Sequence, residues 1–174
     1  MAAGRIAVGS VGGGLLAVAL GIATPAIKEL EGRRNLPYYD IVKVLTVCDG
    51  YAGPLIVPDK RYTDEECDNL TTSEIEKYSS SILKISPHLE WHPMVLASVI
   101  SFTYNIGTTA YAKSSVARLI NEGKFQEGCA FMLKYKYAGG KVLTGLVNRR
   151  QYEYSICTAT LTSEGMKNVR VNNS

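Results

Sequence analysis

The sequence predicts an α+β domain, with a small β part near the front, a run of helices after it, and a charge-free apolar segment before both. Three observations predict it. Residues 6–27 carry no charged side chain. A β-branched run, "IVKVLTV", follows soon after and is closed by the turn "CDGYAG". Five or six stretches with helix start and stop signals fill the remainder, without the alternating strands of a βαβ series. At 174 residues, 46% of them hydrophobic, the chain can build one cored domain and has little room for two.

The apolar run reads "IAVGSVGGGLLAVALGIATPAI". About 22 residues at a helical rise of about 1.5 Å span roughly 33 Å, the thickness of a bilayer core. Glycine and alanine make up nearly half of it, and Ser10, Thr24 and Pro25 dilute it further, so insertion is favourable but marginal. Three readings fit: an export segment that stays attached, a signal cleaved after "GIA" before Thr24, and a buried helix. The last is disfavoured, because each glycine of Gly12-Gly13-Gly14 costs a helix about 1 kcal/mol. Either export reading places the rest of the chain outside the cytoplasm.

Past the apolar run, residues 28–34 read as a short polar helix broken at Pro37. "IVKVLTV" is a strand, and "LIV" at 55–57 is its candidate partner across Asp49-Gly50. Thr63 and Glu66 form a capping box, so a helix opens there and runs to about Ile85. "SPHLEWHP" is a break, in which Trp91 is assigned to packing between helices. "MVLASVISFTYNIG" is an apolar helix stopped by Gly107, too short to span a membrane. "SSVARLINEG", "FQEGCAFMLKYKY" and "TGLVNRRQYEYSIC" are the remaining helices, and the polar tail from Thr160 is expected to fray.

Four cysteines, Cys48, Cys67, Cys129 and Cys157, allow three pairings, of which the local one, Cys48–Cys67 with Cys129–Cys157, is expected. Disulfides imply an oxidising compartment, in agreement with export. His88 and His92 lie far from every cysteine in sequence and no CxxC spacing occurs, so no metal or other cofactor is expected. A net charge of +3 is not the footprint of a nucleic-acid binder, but it suits a polyanionic wall or membrane surface.

Two acids stand out. Glu31 ends the first polar helix and Asp40 opens the hairpin, with Pro37 turning the chain between them. Two carboxylates flanking a bond are the minimal kit for glycoside hydrolysis: one protonates the leaving oxygen, the other activates water or stabilises positive charge. Thr46 follows on the strand and could orient a water. Spacing alone does not separate this from a surface acid and a turn former.

The order Glu31, eight residues, Asp40, five residues, Thr46 resembles the catalytic signature of phage-type lysozymes, glycoside hydrolase family 24. The setting is similar too: "EG", "YYDIVKVLTVC", "GYAG", "YTDEEC", "SFTYNIG", "LINEGKFQEGC", "YAGGKVLTGLVNRR" and "YEYSIC" occur in order over roughly residues 29–158. The subgroup it looks most like is the lambdoid signal-arrest-release endolysins, which carry an N-terminal apolar segment and four similar cysteines. The resemblance implies a lysozyme-like fold, with a small β-hairpin lobe and a larger helical lobe. It implies an N-acetylmuramidase that cuts peptidoglycan, with Glu31 as general acid, Asp40 as partner carboxylate and Thr46 as water-positioning residue. Direct attack by water implies a carboxyl separation of about 6.5–9.5 Å. Asn105, Arg149 and Arg150 match positions near the cleft, where the arginines serve equally as substrate contacts or as ion-pair partners of Glu31 or Glu153. The chain departs from the family at three places. Leu45 replaces a common tryptophan, "LKYKY" lacks a frequent "RW", and Asp49 stands where His or Tyr is usual, which would put a negative charge by the cleft.

The expected organisation is an export or membrane segment over 1–27, a catalytic domain over 28–160 and a polar tail over 161–174. The expected partners are peptidoglycan and, through residues 6–27, the bacterial inner membrane. No nucleic acid is expected, and the chain is expected to be monomeric. With three residues between Ile27 and Glu31, an embedded segment holds the acid within about 6 Å of the membrane face. A tethered enzyme is therefore expected to be inactive until its release into the periplasm. A lytic transglycosylase, or a non-enzymatic wall-binding protein, is the alternative.

Overall fold

The computed structural model describes residues 10–40 and 43–171. Residues 6–9 of the apolar run, 41–42 of the expected strand and 172–174 of the tail lie outside the described residues. The first helix, α1 (Ser10–Glu31), takes up the apolar run and continues without a break across residue 27 to the first acid. From Gly13 to Glu31 it is long and apolar enough, by length and composition, to cross a membrane. One stripe of it joins the core: Ala19, Ala23, Ala26 and Ile27 are buried, at helical spacing. Gly13, Gly14 and Gly21 face open space. Gly13 and Gly14, two of the glycines that argued against a packed helix, thus lie off the packed stripe.

Helix α1 stops at Gly32, whose φ of 70° is open to glycine without strain and whose amide donates to the Lys28 carbonyl at 3.3 Å. The stop is not at Pro37, as the sequence suggested, because the chain is already extended at Arg34. Strand β1 (Arg34–Tyr39) pairs antiparallel with β2 (Leu45–Cys48). The register slips between Arg34 and Tyr38, where Pro37 falls and its missing N–H is tolerated. The partner of β2 is therefore the segment before it, and residues 55–57 form no strand. Beyond β2 the chain closes a tight turn, with Val47 and Tyr51 exchanging both backbone hydrogen bonds at 2.9 Å.

Helix α2 (Asp64–Ile85) opens on the expected capping box: the Glu66 amide donates to Thr63 Oγ1 at 3.1 Å, and the Thr63 amide to Glu66 Oε2 at 2.9 Å. A 3₁₀ turn, Pro87–Trp91, replaces the expected plain break, and Trp91 is 58% exposed rather than packed. Helix α3 (Pro93–Ile106), stopped by Gly107 as expected, is the central core element, with every residue from Val95 to Thr103 buried. Around it lie α4 (Thr108–Ala112), α5 (Ser115–Asn121) and α6 (Phe125–Met132). The stretch "AGGK" makes a minimal hairpin, β3 (Tyr137–Ala138) with β4 (Lys141–Val142). Helix α7 (Thr144–Val171) then packs along α3 and runs on through the stretch expected to fray. The result is a two-stranded lobe set on a helical body, an α+β fold.

Disulfides join Cys48 to Cys67 and Cys129 to Cys157. The first fastens the end of β2 to the first turn of α2, and the second fastens α6 to α7. In the loop-entropy account each contributes about 3 kcal/mol.

Candidate active site

The site forms where α1 ends. Glu31 is the last residue of the helix, and Gly32 swings the chain away immediately after it, so the carboxylate projects at the junction of the two lobes. Its Oε1 accepts from Arg149 Nη1 at 2.5 Å, a contact across 118 residues of sequence. The Glu31 side chain keeps 22% of its surface open, whereas that of Arg149 keeps 6%.

Behind this pair is a buried charge cluster built on one face of α7. Arg149 and Arg150 sit one turn before Glu153, the spacing at which helix side chains meet. Glu153 Oε1 accepts from Arg149 Nε at 3.1 Å, from Arg150 Nη2 at 3.1 Å and from Ser101 Oγ at 2.9 Å. Glu153 Oε2 lies 2.8 Å from Arg150 Nε. Arg149 Nη2 donates to the Ser101 carbonyl at 3.0 Å, which ties the cluster to α3. Arg150 Nη2 also donates to Asn105 Oδ1 at 3.0 Å, and its guanidinium lies over the Phe102 ring at 4.9 Å. Burial pushes the Arg150 guanidinium down to about 10, with Glu153 opposing that shift, so Arg150 remains charged at neutral pH. Burial pushes the Glu153 carboxyl up against the pull of both arginines. Two cations and two carboxylates, Glu31 included, balance in this cluster. Both arginines are buried, so the exposed Asn105 is the member of the set open to a ligand.

On the other side stands the β-lobe. Asp40 occupies the turn of the hairpin, where its Oδ1 accepts from the Val44 amide at 2.8 Å and its own amide donates to the Val44 carbonyl at 3.0 Å. Thr46 is buried and donates from Oγ1 to the Val44 carbonyl at 3.0 Å. Its cross-strand partner is Tyr38, so the two share one face of the hairpin. The Tyr38 hydroxyl is pushed up by burial, Arg34 opposes that, and the negative charges of Glu31 and Asp40 both add to it. Tyr38 thus lies in the field of both acids.

Asp49 corrects a sequence expectation. It does not present its charge to the cleft but is fully buried. Arg33 grips it with two hydrogen bonds, Nε to Oδ1 at 3.1 Å and Nη2 to Oδ2 at 2.8 Å, and Thr71 Oγ1 donates to Oδ2 at 2.8 Å. The neighbouring Gly50, at φ 86°, lies against the acid: a Cβ built there would stand 3.3 Å from Glu31 Oε2. Tyr104 completes the wall, donating its hydroxyl to the Asp49 carbonyl at 2.8 Å. Burial, and after it the charge of Glu31, holds the Tyr104 hydroxyl far above its ordinary range. The sequence alone did not mark Tyr104, Arg33 or Thr71, which reach Asp49 from α3, from the segment after α1 and from α2.

Gly50→Ala adds a methyl at the carboxylate and places a side chain in left-handed backbone, at a cost of about 1–2 kcal/mol. The expected outcome is a Tm lower by roughly 2–8 °C and a wall-clearing rate reduced by about tenfold or more, as a displaced acid requires. Thermal unfolding and turbidity assays of the same sample check both.

The model of the phage lysozyme family matches residues 28–153, and the chain belongs to that family. Within it, the chain is similar to SAR-endolysins. It is 35% identical over 152 residues to that of Bacteriophage PS119, covering 85% of this chain and 89% of the relative. It is 34% identical over 152 residues to that of Enterobacteria phage P21, covering 85% and 90%. Among solved structures, the active form of P1 phage endolysin Lyz superposes with a TM-score of 0.72 at 19% identity, covering 90% of this chain and 98% of that one. The muramidase domain of SpmX from Asticaccaulis excentricus gives 0.69 at 24% identity, covering 78% and 93%. At these identities the two structures speak for the fold, and the sequence relatives for the family.

Proposed function

We propose that this chain is an endolysin that hydrolyses the β-1,4 bond between N-acetylmuramic acid and N-acetylglucosamine in peptidoglycan. The observation that carries the reading is the Glu31 carboxylate, part open at the lobe junction and gripped by Arg149. Glu31 would protonate the leaving oxygen, and Arg149 would then face the carboxylate left behind. Asp40 would stabilise positive charge on the sugar ring or activate water, and Thr46 would accept from that water. Asn105 would contact the glycan, while Arg149 and Arg150 would hold the floor beneath it.

Hydrolysis and transglycosylation differ in their products. Hydrolysis adds one water per cut, and a lytic transglycosylase adds none. Mass spectrometry of digested peptidoglycan is expected to show the added water throughout. Asp40→Asn is expected to lower turnover by about 10²-fold or more, because the second carboxylate takes part in the displacement. Products without added water, or full activity of Asp40→Asn, would assign the rival chemistry.

The second part of the proposal is control by location. Residues 1–27 would serve as an export and membrane segment, 28–160 as the catalytic domain and 161–174 as a tail. Embedded in the inner membrane, the segment would hold Glu31 at the bilayer face and away from its seat on Arg149. Release would let α1 dock by its alanine stripe and deliver a monomeric enzyme to the periplasm, with no role for nucleic acid. Three leucines in place of Gly12, Gly13 and Gly14 each add roughly 0.5 kcal/mol of favourable insertion, besides removing the glycine cost. The variant is expected to stay in the membrane fraction and not to lyse. Lysis at the normal rate would show that release is not needed.

A further inference from the structure

The turn that walls in Glu31 is held by a buried charge that the hydrolytic mechanism does not use. We propose that the Arg33–Asp49 ion pair is the positioning device for Glu31, locking the end of α1 to the turn that lies against the carboxylate. This rests on the reading of Glu31 as the general acid.

Arg33 follows Glu31 with only Gly32 between them, so whatever holds Arg33 sets the direction in which α1 delivers the acid. What holds it is mainly Asp49, through two hydrogen bonds of 3.1 and 2.8 Å. The guanidinium also bonds Asp68, which Lys28 pairs with at 2.7 Å, and lies 3.7 Å from Asp64. The end of α1 is thus gripped on both sides of Glu31, by Lys28 before it and Arg33 after it.

The other half of the clamp is the turn. Asp49 is fully buried, and beyond Arg33 its carboxylate accepts from Thr71. Its carbonyl accepts from Tyr104, and its predecessor Cys48 is bonded to Cys67. Arg33, just past the end of α1, and helices α2 and α3 therefore all fasten one short turn. The free side of that turn is Gly50, which leaves room for the acid: a Cβ there would stand 3.3 Å from Glu31 Oε2. Glu31 thus has Arg149 bonded at Oε1 and the Gly50 turn facing Oε2. Without Arg33, Asp49 becomes a buried charge with one hydroxyl for a partner. Such a group protonates or moves towards water, and either response shifts the wall. A displacement of about 1 Å at a catalytic group costs about 10²-fold in rate.

The test uses the soluble, released full chain. Clearing is measured over a range of peptidoglycan concentrations for wild type, Arg33→Gln, Arg33→Lys, the double variant Arg33→Gln with Asp49→Asn, and Glu31→Gln. Circular dichroism and thermal unfolding are recorded on each. Arg33→Gln is expected to lower kcat by about 10- to 100-fold with KM within about twofold, while still folded at the assay temperature. Arg33→Lys, which keeps the charge, is expected to recover part of the rate. The double variant strands no buried charge and is expected to be faster than Arg33→Gln alone. An unchanged kcat, a rise in KM alone, a double variant no faster than the single, or a loss that tracks the unfolded fraction overturns the proposal. Glu31→Gln separates the two levels. If it is inactive and Arg33→Gln runs at full speed, only the clamp fails. If Glu31→Gln is active, the assignment of the acid fails.

Discussion

Glu31→Gln is expected to abolish the clearing of permeabilised Gram-negative cells, with a loss of about 10³-fold or more. A positioned general acid contributes typically 10²–10⁴-fold, and glutamine has no proton to give the leaving oxygen. The substitution is nearly isosteric, so the Arg149 contact and the approach of Gly50 are preserved in shape. Glu31 is partly open to water, so the stability change is expected to be small beside the catalytic one. The assay compares equal amounts of soluble wild type and variant, with unfolding curves to establish that both are folded. Equal clearing by the two would remove the glycosidase assignment.

Glu153→Gln is expected to be strongly destabilising, because Glu153 is wholly buried beneath the site. The residue accepts from Arg149, Arg150 and Ser101. Removing its charge leaves two buried guanidinium groups with only Glu31 to balance them. Breaking a buried ion pair from one side costs about 3–5 kcal/mol, a large share of the 5–15 kcal/mol that typically holds a domain folded. The midpoint of urea denaturation should fall accordingly, at an unchanged slope. Activity at low temperature should fall as well, since Arg149 is the partner of Glu31. A loss below about 1 kcal/mol would mean that the cluster relaxes easily and does not anchor the site. Hydrophobic replacement of the whole cluster is a different experiment and need not be destabilising.

Features set by residues close together in the chain were legible, and those set by distant residues were not. The capping box at Thr63, the stop at Gly107 and the close of α5 before Gly123 were legible because each depends on residues a few positions apart. The β-lobe was half legible. Its turn residues and β-branched run marked β2, but Pro37 hid β1, since a proline in a strand counts against it until a bulge accommodates it. Asp49 was misread for a related reason. Alone it is a negative charge by a cleft, and its partners are Arg33, just past α1 and 16 residues back, and Thr71, 22 residues on.

The sequence by itself determined the composition of α1, with an alanine stripe that can pack and glycines that keep the helix only marginally suited to a membrane. It also determined the order of Glu31, Asp40 and Thr46, which with the surrounding motifs marks the family. The tertiary structure decided what each charge does. A carboxylate is a surface acid, a buried partner or a reacting group according to its solvation and its neighbours, and for Glu31 those neighbours are Arg149, 118 residues away, and the backbone of Gly50. Such pairings arise only when the helices close on one another, because desolvation and a hydrogen bond of 2.5 Å are properties of packed elements and not of a stretch of chain.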